Sequence, residues 1–313
     1  MSDLKLFRYD EQSATALPGD ARPIEKSLQK LIESQMETFL GVRCLASEYS
    51  TGKTHKGRID SLGLDENGCP VIIEYKRHIN ENVINQGLFY LDWLLDHQAE
   101  FRWLVMEQLN KEDANNIQWQ GTRLLCIAAD FTKYDEHAVA QINRNIELIR
   151  YKLFGPDLLL LELVNAVSGP STALTTTNTS EPELEPVVTS EKSTTKTNAQ
   201  QIGSASPALR GLLEQMESFI TSLGDDVQVN PLKLYTAYRR LRNFACSTVV
   251  PKQDARILLW LSIDPASVQL EEGFTRDVSN IGHWGTGNLE VSIRDERSLE
   301  KAKALILRCY QES

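Results

Sequence analysis

Nothing in this chain reads as a membrane span, a secretion leader or a basic tail. The longest apolar run, Leu158 to Leu161 with Val164 nearby, falls far short of the roughly 20 residues a crossing helix needs. The opening residues, Met1-Ser2-Asp3-Leu4-Lys5, lack the apolar centre of a signal peptide. There is no long run of lysine and arginine, and the net charge is −10. That excludes a histone-like protein that coats DNA indiscriminately. It leaves a nuclease open, because a nuclease needs only a local basic rim, and a bound metal ion brings positive charge of its own. The five cysteines, Cys44, Cys69, Cys126, Cys246 and Cys309, are scattered, odd in number and without metal-binding spacing. Unpaired thiols in a reducing compartment, and so a cytoplasmic protein with no membrane partner, are the expectation.

What the chain does have is the ordinary make-up of a soluble globular protein, 41% hydrophobic and 24% charged, over 313 residues. That length suggests two domains. Between about 167 and 206 serine, threonine, asparagine and proline dominate and aromatic residues vanish, the composition of a disordered linker. It separates a first domain over residues 1–166 from an α+β accessory domain over 207–313, read as two independent units.

The first domain is organised around Gly57 to Arg77. Two short strands, the second carrying the β-branched run Val71-Ile72-Ile73, flank the turn residues Asp65-Glu66-Asn67-Gly68. Glu74 and Lys76 share a strand face. A two-residue Asn67-Gly68 turn would put Asp60 on the other face. An odd loop centred on Asn67 would set Asp60 against Glu74, Leu62 against Ile72 and Ile59 against Tyr75. The second register fits the hydrophobic pattern on both faces, and it predicts one face carrying Asp60, Glu74 and Lys76. Two readings are open for that face. One is an exposed ion-pair cluster. The other is a site where two hard carboxylates hold Mg²⁺ or Mn²⁺ and the lysine positions or deprotonates a water.

The surroundings add candidates. Residues 1–22 read as a loose lead-in, followed by a helix to about Leu40 capped by Gly41. Glu25, Glu33 and Glu37 lie on its flanks, and Glu25 is the acid chosen to reach the metal. Gly52-Lys53-Thr54 has neither the upstream glycine nor the following helix of a phosphate-binding loop. Lys53, His55 and Lys56 form a basic lip for a phosphate backbone or a plain polar turn. In the helix over 80–97, Gln86, Tyr90 and Trp93 share a face. The two aromatics suit a core, and Gln86 can reach back to the hairpin. In the accessory domain, His283-Trp284-Gly285, with the arginines Arg239, Arg240 and Arg242, is a ligand or nucleic-acid surface or a packed turn.

The pattern Asp60 … Glu74-x-Lys76 with a helical Gln86 resembles the PD-(D/E)XK phosphodiesterase superfamily. The fuller run from Gly57-Arg58-Ile59-Asp60 through Gln86-Gly87-Leu88-Phe89-Tyr90-Leu91-Asp92 looks like its branch near endonucleases acting on mismatched, branched or single-stranded DNA. The resemblance covers about residues 22–165. It implies a restriction-endonuclease-like α/β fold, a mixed sheet flanked by helices. It also implies a metal-dependent endonuclease acting on nucleic acid, with DNA the expected substrate, possible homodimers, and Mg²⁺ or Mn²⁺ as cofactor. Asp60 and Glu74 would hold the ion with the Ile73 carbonyl and Glu25, Lys76 would activate water, and Gln86 would steady the lysine or the substrate. Lys53, Lys56, Arg58 and Arg77 would contact nucleic acid, and His283, Trp284 and Arg242 would give the accessory domain its surface. That domain resembles an uncharacterised bacterial domain that accompanies such nuclease-like domains. Proteins of this layout have been labelled predicted transport proteins. A non-cutting binding module on the same fold, or a transport-associated protein, is the alternative.

Overall fold

A computed structural model describes residues 4–11, 13–20, 25–76, 83–167 and 196–313. The lead-in is more ordered than its sequence suggests. Strands β1 (Leu6–Tyr9) and β2 (Ala14–Leu17) form an antiparallel hairpin, and β3 (Gly19–Asp20) joins the main sheet. Phe7 and Tyr9 stay exposed, so the hairpin rests on backbone pairing and leaves no alternating core signal to read.

Helices α1 (Glu25–Ser34) and α2 (Met36–Leu40) divide the expected first helix at Gln35. Leu28, Ile32, Met36 and Leu40 nevertheless fall on one buried face at four-residue spacing. Gly41, at φ +63°, supplies the left-handed cap. Then follow β4 (Val42–Ser50), α3 (Gly52–His55), β5 (Arg58–Asp65), β6 (Pro70–Lys76), α4 (Val83–Asp96), α5 (Gln98–Gln108), α6 (Lys111–Asn115), β7 (Arg123–Ala128), α7 (Lys133–Ala140), β8 (Asn145–Phe154) and β9 (Leu158–Val167).

The sheet runs β3-β8-β7-β6-β5-β4, with β9 also on β8. β6, β7 and β8 are parallel and the other pairings antiparallel, so the domain is mixed α/β. One face packs on α1 and α2 through Val71, Ile73, Tyr75, Leu125 and Ile127. The other packs on α4 and α5 through Ile72, Leu124, Leu91, Trp93 and Phe101. A strand covered on both sides reads as one apolar run, as buried β7 does. Gly87 lets α4 come close, since a Cβ there would lie 2.5 Å from Leu124 Cδ1.

The accessory domain contains α8 (Asn198–Gly203), α9 (Pro207–Thr221), β10 (Gln228–Pro231), β11 (Thr236–Arg239), β12 (Asn243–Val250), β13 (Arg256–Leu261), β14 (Thr275–Asp277), β15 (Leu289–Ile293) and α10 (Glu296–Glu312). Its antiparallel sheet runs β10-β11-β12-β13-β15-β14. α9 and α10 pack on one face through Leu212, Met216, Ile220, Leu299 and Ile306. The expected linker is too long at its far end. Asn198 of α8 is buried against Thr236 and Thr248, so this domain starts before Pro207. Residues 168–195, the rest of that segment, lie outside the described residues.

The two domains are not independent either. Asn67, at the tip of the β5–β6 hairpin, accepts bonds from Asn243 (2.7 Å) and Tyr235 (3.0 Å). Behind it runs a buried ion network. Arg123 pairs with Asp65 (3.1 Å) and Glu147 (3.0 Å), and Glu147 also takes Arg239 of the accessory domain at 2.5 Å. Two cations and two anions share the interior, and burial together with Arg123 pushes Arg239 below its ordinary range.

Glu66 makes this junction pH-sensitive. Its carboxylate accepts from the Asn243 N–H at 2.8 Å. Burial raises its pKa to about 7 against that bond, with Asp65 adding to the rise and Arg242 and Arg123 opposing it. A raised acid favours folding while protonated, so its contribution is complete below about 4.5 and is lost as pH climbs to about 7. From the size of the shift the loss is roughly 3 kcal/mol. Glu66→Gln is therefore expected to flatten the wild-type fall in denaturation midpoint between pH 5 and 8. Parallel curves for the two proteins would refute this.

Candidate active site

The hairpin register follows the odd loop. Leu62 faces Ile72 and Ser61 faces Ile73, with the loop centred on Asn67 and Gly68 at φ +75°. Asp65 Oδ1 holds the loop by accepting from the Asn67 and Cys69 N–H groups. The ladder between β5 and β6 stops at Ser61 and Ile73. The expected pair Ile59–Tyr75 does not form, because the strands part at Asp60. Ile59 turns into the core under α4, and Tyr75 stays in the core under α1.

At the parting each acid takes over a bond that the ladder gives up. Asp60 Oδ2 accepts from the Tyr75 N–H at 3.0 Å, and Glu74 Oε1 accepts from the Asp60 N–H at 3.2 Å. Glu74 is fully buried, and its Oε2 has no hydrogen-bond partner. Burial, then the neighbouring Asp60 charge, pushes Glu74 up to about 9. Burial also raises Asp60, against the Tyr75 N–H and Lys76. Lys76 lies on the same face, its ammonium 3.1 Å from Glu25 of α1. Burial works against its charge, but Glu25, Asp60 and Glu74 together hold it above its ordinary value.

The hairpin argument thus brings Asp60, Glu74 and Lys76 together, and α1 supplies an acid. Glu25, expected on the ion, instead pairs with the lysine. Ile73, expected to offer its carbonyl, sits between Ser61 of β5 and Leu125 of β7. Gln86 donates to the Tyr90 hydroxyl at 3.2 Å, which also accepts from the Arg58 N–H. It therefore braces the start of β5 rather than contacting Lys76. Lys56 and Arg58 are exposed, just before β5 and at its first residue. Lys53 lies in α3, where its side chain is not described, and Arg77 is outside the described residues.

The accessory-domain surface does not assemble as expected. Arg239 and Arg240 are engaged by Glu147 and Asp226. Arg242 lines a cleft of about 440 Å³ between the domains, with Phe39 and Leu161. His283 stacks on Trp260 at 5.3 Å with its Nδ1 at the Trp284 carbonyl, the geometry of a packed turn, while Trp284 is exposed.

Sequence reasoning missed Gln29. Its amide donates to the Asp60 carbonyl (2.7 Å), to Glu33 and to Ser47, fixing the backbone where the strands part. A buried glutamine one residue beyond Leu28 in an amphipathic helix is a faint signal.

Among the described residues no three His, Cys, Asp or Glu side chains converge as a metal cage. The pair present still suits a divalent ion with backbone and water ligands. Two adjacent hard-oxygen acids, one with an orphaned buried oxygen, are costly unless a proton or a cation sits there.

A family model described as a domain of unknown function (DUF5655) matches residues 198–313, which agrees with an accessory domain beginning at α8. An uncharacterized protein of Haemophilus influenzae is 25% identical over 308 residues, covering 97% of this chain and 98% of its own. The similarity therefore runs through both domains. No solved structure matches the chain. Among the described residues no helix is long and apolar enough to cross a membrane.

Proposed function

We propose that the first domain is a metal-dependent phosphodiesterase acting on nucleic acid, with DNA the first substrate to test. The observation that carries this reading is the convergence of Asp60, Glu74 and Lys76 where β5 leaves β6, with Glu74 Oε2 buried and unpaired. Asp60 and Glu74 would hold Mg²⁺ or Mn²⁺, which when bound supplies Lewis acidity and a water of lowered pKa.

Lys76 is a cation at neutral pH, because its neighbours raise its pKa. Its part is to donate to a phosphate oxygen and to fix the attacking water, and Glu25 keeps it aimed. Arg58 and Lys56 bind flanking phosphates. The accessory domain, locked to the hairpin tip, sets where the substrate or a partner can approach.

The test is cleavage of duplex, branched and single-stranded DNA and of RNA with Mn²⁺, by the wild type and Asp60→Ala. Cleavage by the wild type alone is expected. Equal activity in both proteins, or none in either, would overturn the reading. A second reading, a binding module that does not cut, is favoured by the Glu25–Lys76 pair, which satisfies the lysine without a substrate. Metal-independent binding without turnover would select it.

A further inference from the structure

Opposite Asp60, on β4, stands a residue in a conformation its type avoids. Glu48 has φ +54°, the left-handed region that glycine enters freely and a glutamate does not. It sits between the pairs Ser47–Ser61 and Tyr49–Ile59, level with Asp60.

Residues two apart in a strand should share a face, yet here they do not. Ser47 accepts from Gln29 on the α1 side, whereas Tyr49 packs with Trp93 on the α4 side, ring centroids 5.7 Å apart. Ser61 donates to Glu33 of α1, whereas Ile59 lies in the α4 core. Both strands turn over at one level. The turn-over itself needs a residue that tolerates positive φ, and glycine would serve. A glutamate there keeps the strain and adds a carboxylate.

That carboxylate has two neighbours. It ion-pairs with Arg58, whose side chain is 67% exposed, and the strand register sets Glu48 directly across from Asp60. Strained non-glycine residues cluster at functional sites, where the side chain is needed despite the backbone. The ion pair is a weak structural reason for the strain, because its arginine end is open to solvent while the glutamate side is 26% exposed, and a pair open to water at one end adds little stability.

We propose that Glu48 is a positioning residue of the Asp60–Glu74 site, kept in a strained backbone because its carboxylate holds Arg58 at the rim and adds negative charge beside Asp60. This rests on the reading of Asp60 and Glu74 as a cation-binding pair. Without Glu48 the site loses an anion that attracts a divalent ion and gains in Arg58 an uncompensated cation that repels it, and both changes weaken binding.

The test uses the full chain as wild type, Glu48→Gly, Glu48→Gln and Asp60→Ala, with Mn²⁺ affinity by calorimetry and the metal-free melting temperature. Both Glu48 variants should bind Mn²⁺ at least about tenfold more weakly, by the Coulomb argument. Glu48→Gly, relieved of strain, should melt at or above the wild-type temperature, while Glu48→Gln, which keeps the strain, should not rise. Wild-type affinity in either variant, or a clear fall in the melting temperature of Glu48→Gly, overturns the role of Glu48 alone. If the wild type binds no Mn²⁺, or Asp60→Ala binds it equally, the function reading fails and this inference falls with it.

Discussion

Lys76→Ala is expected to cut phosphodiester cleavage by at least about a hundredfold, the usual scale for losing a preorganised hydrogen-bond donor to the developing charge. Mn²⁺ binding should survive, because the acids remain and a neighbouring positive charge is gone. Lys76→Arg separates chemistry from charge. It keeps a cation for Glu25 but replaces a compact ammonium with a planar fork, so activity should stay low while the fold is kept. If Lys76 is only half of a structural ion pair, the outcome differs. Lys76→Ala would then leave any cleavage unchanged and cost little stability, since its partner Glu25 is 38% exposed. Steady-state cleavage rates and a melting curve on the same preparations decide between the two.

Arg123→Ala should be the most destabilising single change in the first domain. The guanidinium is buried on β7 between Asp65 and Glu147, and Glu147 also answers Arg239 across the junction. Removing it leaves Asp65 without its buried cation and Glu147 with Arg239 alone, and breaking such a pair typically costs about 3–5 kcal/mol. The effect should reach both domains. Asp65 organises the hairpin loop that presents Asn67, and Arg239 would be left facing a network with one cation fewer. Urea denaturation of the full chain, followed by Trp93 and Trp260 fluorescence, measures it. A change under about 1 kcal/mol would place the stability of the junction elsewhere, in the Asn67–Asn243 pair or in apolar burial.

The placement of the accessory domain bears on both results. It grips the loop of the hairpin whose other end carries Asp60 and Glu74. The junction and the acids thus lie at opposite ends of one hairpin.

Local sequence determined a good deal. The hairpin and its register follow from setting Leu62 against Ile72 across a loop centred on Asn67, because a one-residue slip would reverse every face, although the companion pair Ile59–Tyr75 does not form. The α1 stripe, the Gly41 cap and the apolar β7 strand are periodic or positional signals of the same kind. They place Asp60, Glu74 and Lys76 together because strand alternation is a short-range rule.

What needed the tertiary structure was everything set by chain segments distant in sequence. The turn-over at Glu48 and Asp60 breaks alternation, and no local pattern announces it, since glutamate ordinarily avoids that conformation. Glu25 found Lys76, 51 residues away, rather than the place expected for it. Arg239, Arg240 and Arg242 read as a basic surface, but a buried acid of the other domain and a half-buried one of their own claim the first two. Charge in a sequence states that a partner is required, and only the folded arrangement settles whether that partner is solvent, a ligand or another part of the same chain.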